Sequence, residues 1–171
     1  DRKMKFLETM LPYFQGEKLE ALVFILPIGL LCLVFGGWLI SEGQQGFTRG
    51  VAIPFVAMGL IISIIGGTVG FRTPAQTTQI QQAFMIDQLK TIKAESDRIE
   101  KVNRAWSWYL GIWVVFGILG LGLRLLTNSD FLQGLGIALV FFAGVGLLID
   151  GFADRRARIY SDVIHELNRA N

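Results

Sequence analysis

Four stretches of 19 or more residues in this chain hold no charged residue, and charges bracket each one. Glu20 and Glu42 flank the first, Arg49 and Arg72 the second, Arg104 and Arg124 the third, Asp130 and Asp150 the fourth. The runs are 21, 22, 19 and 19 residues long. About 20 apolar residues in a helix cross the roughly 30 Å hydrocarbon core of a bilayer. Within lipid every backbone hydrogen bond must be met internally, so a spanning segment is a helix or part of a closed barrel. Barrel strands alternate in polarity over about 10 residues, which these runs do not. The expected fold is an all-α integral membrane protein with four transmembrane helices.

Lysine and arginine set the orientation of such a chain. Fourteen of the 16 lie before the first run, between the second and third, or after the fourth. Only Arg49 and Arg124 lie on the other side. Both termini and the middle segment are therefore expected in the cytoplasm, with short outer loops near 42–50 and 124–130. The lead into the first run carries acids and bases and no A-x-A-like site follows it, so no cleavable signal peptide is expected. The net charge of +2 does not call for a nucleic-acid partner. Cys32 is alone, so no disulfide framework is expected.

The expected organisation has five parts. Residues 1–20 form an amphipathic cytoplasmic or interfacial segment, with Met4, Leu7, Leu11 and Phe14 at helical spacing and Pro12 limiting the helix. Residues 21–71 form a first hairpin, with spans at about 21–41 and 51–71. Pro27 and Gly29 should kink the first span. Residues 72–105 form a cytoplasmic helical segment. Residues 106–151 form a second hairpin, with spans at about 106–126 and 131–151. Residues 152–171 continue the last helix into the cytoplasm.

Small residues let membrane helices approach closely. Gly59, Ser63 and Gly67 make one such stripe, Gly66 and Gly70 another. In the middle segment Thr73, Pro74 and Gln76 read as a helix start. The stretch Thr77, Thr78, Gln79 favours an extended descent over 73–80, or else a first part lying along the surface, before a long helix climbs back. Met85, Leu89, Ile92, Ile99 and Trp106 share one face of that helix. After span four, Ile159, Tyr160, Val163, Ile164 and Leu167 keep a helical stripe. A short outer turn makes spans three and four antiparallel neighbours. Their inner ends should then pack as a coiled hairpin, which a third helix or a partner would complete.

No catalytic constellation is legible. His165 is the single histidine and reads as a solvated residue on a charged face. Cys32 reads as inert packing. No phosphate-loop pattern occurs among the glycines, and no cofactor or metal is implied. Proton-coupled transporters place ionisable residues inside the membrane, and these runs hold none. Among the boundary charges, Asp150 and Arg104 read first as stop-transfer and interfacial anchors, with an Asp150–Arg104 pair as the alternative; Asp130 with Gln133 is expected to cap span four, and Glu42, Arg49, Arg124 and Asp130 to meet any external ligand.

The expected partners are membrane lipid and another membrane or membrane-inserting protein, or a second copy of the chain. The plan is similar to that of bacterial immunity proteins that neutralise membrane-targeting toxins. The resemblance is one of architecture alone and carries over no residue. It implies a non-enzymatic inner-membrane protein acting by helix packing; the surfaces this chain itself offers for that are the Gly59, Ser63 and Gly67 face and the cytoplasmic helical hairpin. The alternatives are a homo-oligomeric pore or depolarising effector, and an accessory subunit of a larger complex.

Overall fold

The computed structural model describes residues 2–43 and 45–169, with the side chain of Arg2 left aside. It is built of helices: α1 (Arg2–Glu20), a π-helical turn (Ala21–Ile25), α2 (Leu26–Glu42), α3 (Gly46–Ile86), α4 (Gln88–Leu126) and α5 (Asp130–Arg169). With α1 and α2 joined through the π turn, these make four rods of 39 to 41 residues, each long and apolar enough to cross a membrane. Forty residues rise about 60 Å, twice the roughly 30 Å hydrocarbon core. Each rod therefore has an apolar half and a polar half, the latter charge-rich in every rod but α3, whose residues 73–86 are polar but uncharged.

The apolar halves form a row rather than a closed bundle. Helix α2 packs along α3, α3 along α5, and α5 along α4. Glycines set the close approaches. A Cβ on Gly29 would lie 2.5 Å from the Ser63 backbone nitrogen, and one on Gly136 2.5 Å from the Gly120 carbonyl. At the loop end Gly50 lies against Phe131, and Gly134 against Phe47. Phe55 and Phe142, with centroids 5.0 Å apart, fill the space between α3 and α5. As the end of the row, α4 is the least covered rod. Only 6% of its most apolar 18-residue stretch is buried, against 39% in α3 and 33% in α5.

The charge-rich halves do close, as a four-helix bundle. Phe6, Met10 and Phe14 of α1 meet Phe84 of α3, Ile92 and Ile99 of α4, and Tyr160, Ile164 and Leu167 of α5. Phe6 stacks on Phe84 at 4.2 Å. Thus α1 and the end of α3 complete the packing that the hairpin of α4 and α5 leaves open.

Three expectations about these segments are corrected. First, α1 runs unbroken through Pro12 and on through the π turn into α2, so Pro12 does not limit the helix. Its buried stripe is Phe6, Met10, Tyr13 and Phe14, while Met4 is exposed. Second, residues 73–80 are helical, not extended, and Thr73 caps nothing. The hydroxyls of Thr73, Thr77 and Thr78 donate to the carbonyls of Val69, Thr73 and Pro74, four residues back. Threonine is tolerated in a helix in this way. Third, the reversal falls at Asp87, which is extended (φ −145°, ψ 98°) and accepts from the Lys90 backbone N–H at 3.0 Å. One residue thus ends α3 and caps α4.

The π turn has a local cause. Pro27 has no N–H to return to the preceding turn, and the Leu26 N–H bonds back five residues to the Ala21 carbonyl. One extra residue is absorbed just before the proline, where the sequence predicts a kink.

Candidate functional site: a buried ionic junction between the two halves

The densest chemistry lies where the apolar row meets the charge-rich bundle. All four rods contribute. Helix α1 brings Tyr13, Glu17 and Glu20, α3 brings Arg72, α4 brings Glu95 and Arg98, and α5 brings Asp154, Arg156 and Tyr160.

Its centre is Glu95, a carboxylate whose side chain is only 6% exposed. Arg98, one helical turn on, donates to it through Nε at 2.9 Å and a terminal nitrogen at 2.8 Å, a bidentate grip. The Tyr160 hydroxyl donates to the same carboxylate at 3.0 Å. The Arg98 guanidinium also faces the rings of Tyr13 and Phe14, at 5.8 and 5.2 Å. Tyr13 in turn stacks on Tyr160 at 4.4 Å. Burial works against the Arg98 charge, but the hydrogen bonds and nearness of Glu95 outweigh it and raise its pKa above the usual range. Burial first, and the Glu95 charge second, raise the Tyr160 pKa, so its hydroxyl stays a donor.

Around this centre run two α1 pairs. Glu20 meets Arg156 at 2.6 Å, with both side chains largely covered. Glu17 meets Arg72 at 3.8 Å, a long contact to a mostly exposed arginine. Burial raises the Glu17 pKa despite the pull of Arg72, Arg98 and Arg156. Its Oε2 is buried without a hydrogen-bond partner among the described residues. A weak ion pair does not offset the desolvation of a carboxylate.

Deeper in the charge-rich half, Ser96 Oγ lies 2.9 Å from His165 Nδ1, and Asn168 approaches the same oxygen at 3.5 Å. His165 is thus half-buried and partnered across α4 and α5, not solvated as the sequence reads. Among the described residues, no group of three or more His, Cys, Asp or Glu side chains is placed to hold a metal ion.

The expected site residues scatter. Gly59 and Ser63 face α2, where an added Cβ on Gly59 would lie 2.8 Å from the Leu33 backbone nitrogen. Gly67 faces open space, so the three do not form one surface. Ile92, Ile99 and Leu167 are buried in the charge-rich core, and Val163 packs against it. Met85, Leu89 and Ile159 are exposed.

The Asp150–Arg104 pair does not form. Asp150 accepts from the Trp113 indole at 2.5 Å, and Arg104 pairs with Glu100 at 2.6 Å on its own helix. Asp130 is the first residue of α5 rather than its cap. The Gln133 side chain instead donates to the Thr127 carbonyl, at 2.9 Å. Arg124 reaches Gln133 at 3.4 Å, Glu42 accepts from Trp38, and Arg49 is exposed.

Sequence reasoning missed the junction because its members look like ordinary flanking charges. Two signals were present. Glu95 and Arg98 stand one turn apart, and Glu17 and Glu20 sit three apart on a helix whose other face is apolar.

No family model matches the chain, and no curated protein or solved structure shows significant similarity to it.

Proposed function

We propose that this protein is a non-enzymatic, four-span membrane protein that works by binding another membrane or membrane-inserting protein through the exposed wall of α4. The observation that carries this reading is the bareness of α4, which ends the row and has only 6% of its apolar stretch covered. Gly111, Val115, Ile118, Gly122 and Leu125 repeat at helical spacing along that wall. An added Cβ on Gly111 or Gly122 would meet nothing within 4 Å, so a partner helix has room to approach. The stripe of Gly59 and Ser63 is spent on α2 and does not serve this purpose.

In this reading the charge-rich half lies in the cytoplasm, where the lysine and arginine distribution puts it, and the membrane is a bacterial inner membrane. The specific form we favour is an immunity protein that holds a membrane-inserting toxin by lateral packing. Ile112, Val114, Val115, Ile118, Leu119 and Leu121 give the wall no polar group to line a water-filled pore. That weighs against the homo-oligomeric channel.

The test is a photocrosslinker at Ile118 or Leu125 in native membranes, with buried Ala138 as control. Adducts to one foreign membrane protein or toxin, seen at the wall and not at Ala138, support the reading. Self-adducts alone move the weight to a homo-oligomer. Lipid adducts alone overturn it.

A further inference from the structure

A groove between α1 and α5 is not used by the proposed protein–protein contact. It has two parts. One, of about 390 Å³, is walled by Leu19, Phe24, Ile28, Leu148, Ile149 and Phe152, with Gly16, Glu20 and Arg156 at its rim. The second, of about 490 Å³, continues into the charge-rich half past Tyr13, Arg155 and Thr9. Phe152 and Arg156 line both, so the two adjoin at these side chains. Each lies within the roughly 300–1,000 Å³ range of small-ligand sites.

The groove changes polarity once along its length. Its apolar wall follows the chain from Leu19 to Ile28, a rise of about 14 Å, close to the roughly 15 Å acyl layer of one leaflet. The π turn supplies Phe24 to its wall. Such turns recur where a helix must present side chains that regular winding would turn away. Gly16 leaves room for the Arg156 side chain to cross to Glu20, since a Cβ there would lie 3.0 Å from Arg156 Cδ.

Charge at the rim is uneven. Glu20 is matched by Arg156 at 2.6 Å, Asp154 by Arg158 at 2.8 Å, and Asp150 accepts from Trp113. Arg155 is exposed and pairs with no carboxylate among the described residues. Glu8 lies three turns farther along α1. Arg155 is therefore an uncommitted cation at the boundary, next to Arg156 on α5.

We propose that this groove binds one anionic phospholipid, with its phosphate on Arg155 and Arg156 and an acyl chain laid along Leu19, Phe24, Ile28 and Leu148. The proposal rests on the membrane-spanning reading above. A phospholipid is the occupant whose own polarity reverses in the same order, apolar through one leaflet and anionic at its edge.

The experiment reconstitutes the full chain and titrates the detergent-purified protein with dioleoyl-phosphatidylglycerol and dioleoyl-phosphatidylcholine, scoring bound lipid by native mass spectrometry. Phosphatidylglycerol should bind more tightly. Arg155→Gln should weaken it about fivefold, the worth of one cation near an anionic headgroup, and leave phosphatidylcholine unchanged. Leu148→Trp, which fills the apolar part, should weaken both lipids. Lys101→Gln, an exposed cation on α4, should change neither. Equal affinities for the two lipids, or equal losses from Arg155→Gln and Lys101→Gln, would overturn the site. Failure of the wild-type chain to float with either vesicle would instead contradict membrane spanning itself.

Discussion

Tyr160 on α5 donates its hydroxyl to the Glu95 carboxylate on α4 at 3.0 Å, beside a cluster of buried aromatic and aliphatic side chains. The same carboxylate holds Arg98, which in turn faces the α1 rings of Tyr13 and Phe14. One acid thereby ties three rods together just beyond the apolar row.

This arrangement ranks two substitutions. Tyr160→Phe removes one hydrogen bond and leaves Glu95 satisfied by Arg98, a loss of about 1 kcal/mol. Glu95→Ala leaves a covered guanidinium and a buried hydroxyl unpaired, at about 3 kcal/mol or more. Thermal unfolding in detergent should give Glu95→Ala the lower Tm by several degrees. Equal Tm values would mean that the junction does not hold the bundle.

Glu17 gives a pH dependence of definite sign. Burial raises its pKa in the folded state above the ordinary glutamate value, so folding favours the neutral acid. Its contribution to stability is full below that value and is lost as the pH rises through the folded pKa. Glu17→Gln, which mimics the neutral form, should therefore raise the Tm at pH 7. The gain should vanish near pH 4, where the native acid is itself protonated. A Tm that falls at pH 7 would show that the Arg72 and Arg98 charges dominate instead.

Glycine substitutions separate the packed faces from the open ones. Gly136→Ala places a methyl group 2.5 Å from the Gly120 carbonyl and should cost about 1–3 kcal/mol. Gly67→Ala meets nothing within 4 Å and should be neutral or slightly stabilising. Unfolding in mixed micelles distinguishes the two. Comparable losses would refute the pairing of α4 with α5 along glycines.

At the reversal between α3 and α4, Asp87→Ala removes the acceptor for the Lys90 N–H and should cost about 1 kcal/mol, whereas Asp87→Asn should keep most of the cap. Limited proteolysis at 86–88 should quicken in the alanine variant alone. Equal cleavage of both variants would place the cap elsewhere.

The four apolar rods were legible because a bilayer tolerates almost no charge, and bracketed gaps of about 20 residues are a hard constraint. The reversal at Asp87 was not, since no glycine or proline stands between Pro74 and Gly111 and a lone aspartate is a weak boundary mark. Thr77 and Thr78 misled by their β preference, which their hydroxyl bonds to the preceding turn override. The stripe of Gly59, Ser63 and Gly67 drifted off its face. At about 100° per residue, the seven steps to Gly66 return nearly to the starting direction, while the eight to Gly67 overshoot by about 80°. Gly66, against Leu26, is accordingly the residue that packs, and Gly67 is free. The junction stayed hidden because Glu17, Glu95 and Arg156 acquire meaning only when four distant segments converge.

The proposed four-span topology sets both charge-rich ends of the chain on one side of the membrane. Single cysteines in a Cys32→Ala background, labelled with a membrane-impermeant thiol reagent on intact cells, check it. Ser129→Cys, in the turn before α5, should label at once, whereas Lys93→Cys and Asp162→Cys should label only after the membrane is opened. Labelling of all three positions from the same side would contradict the account.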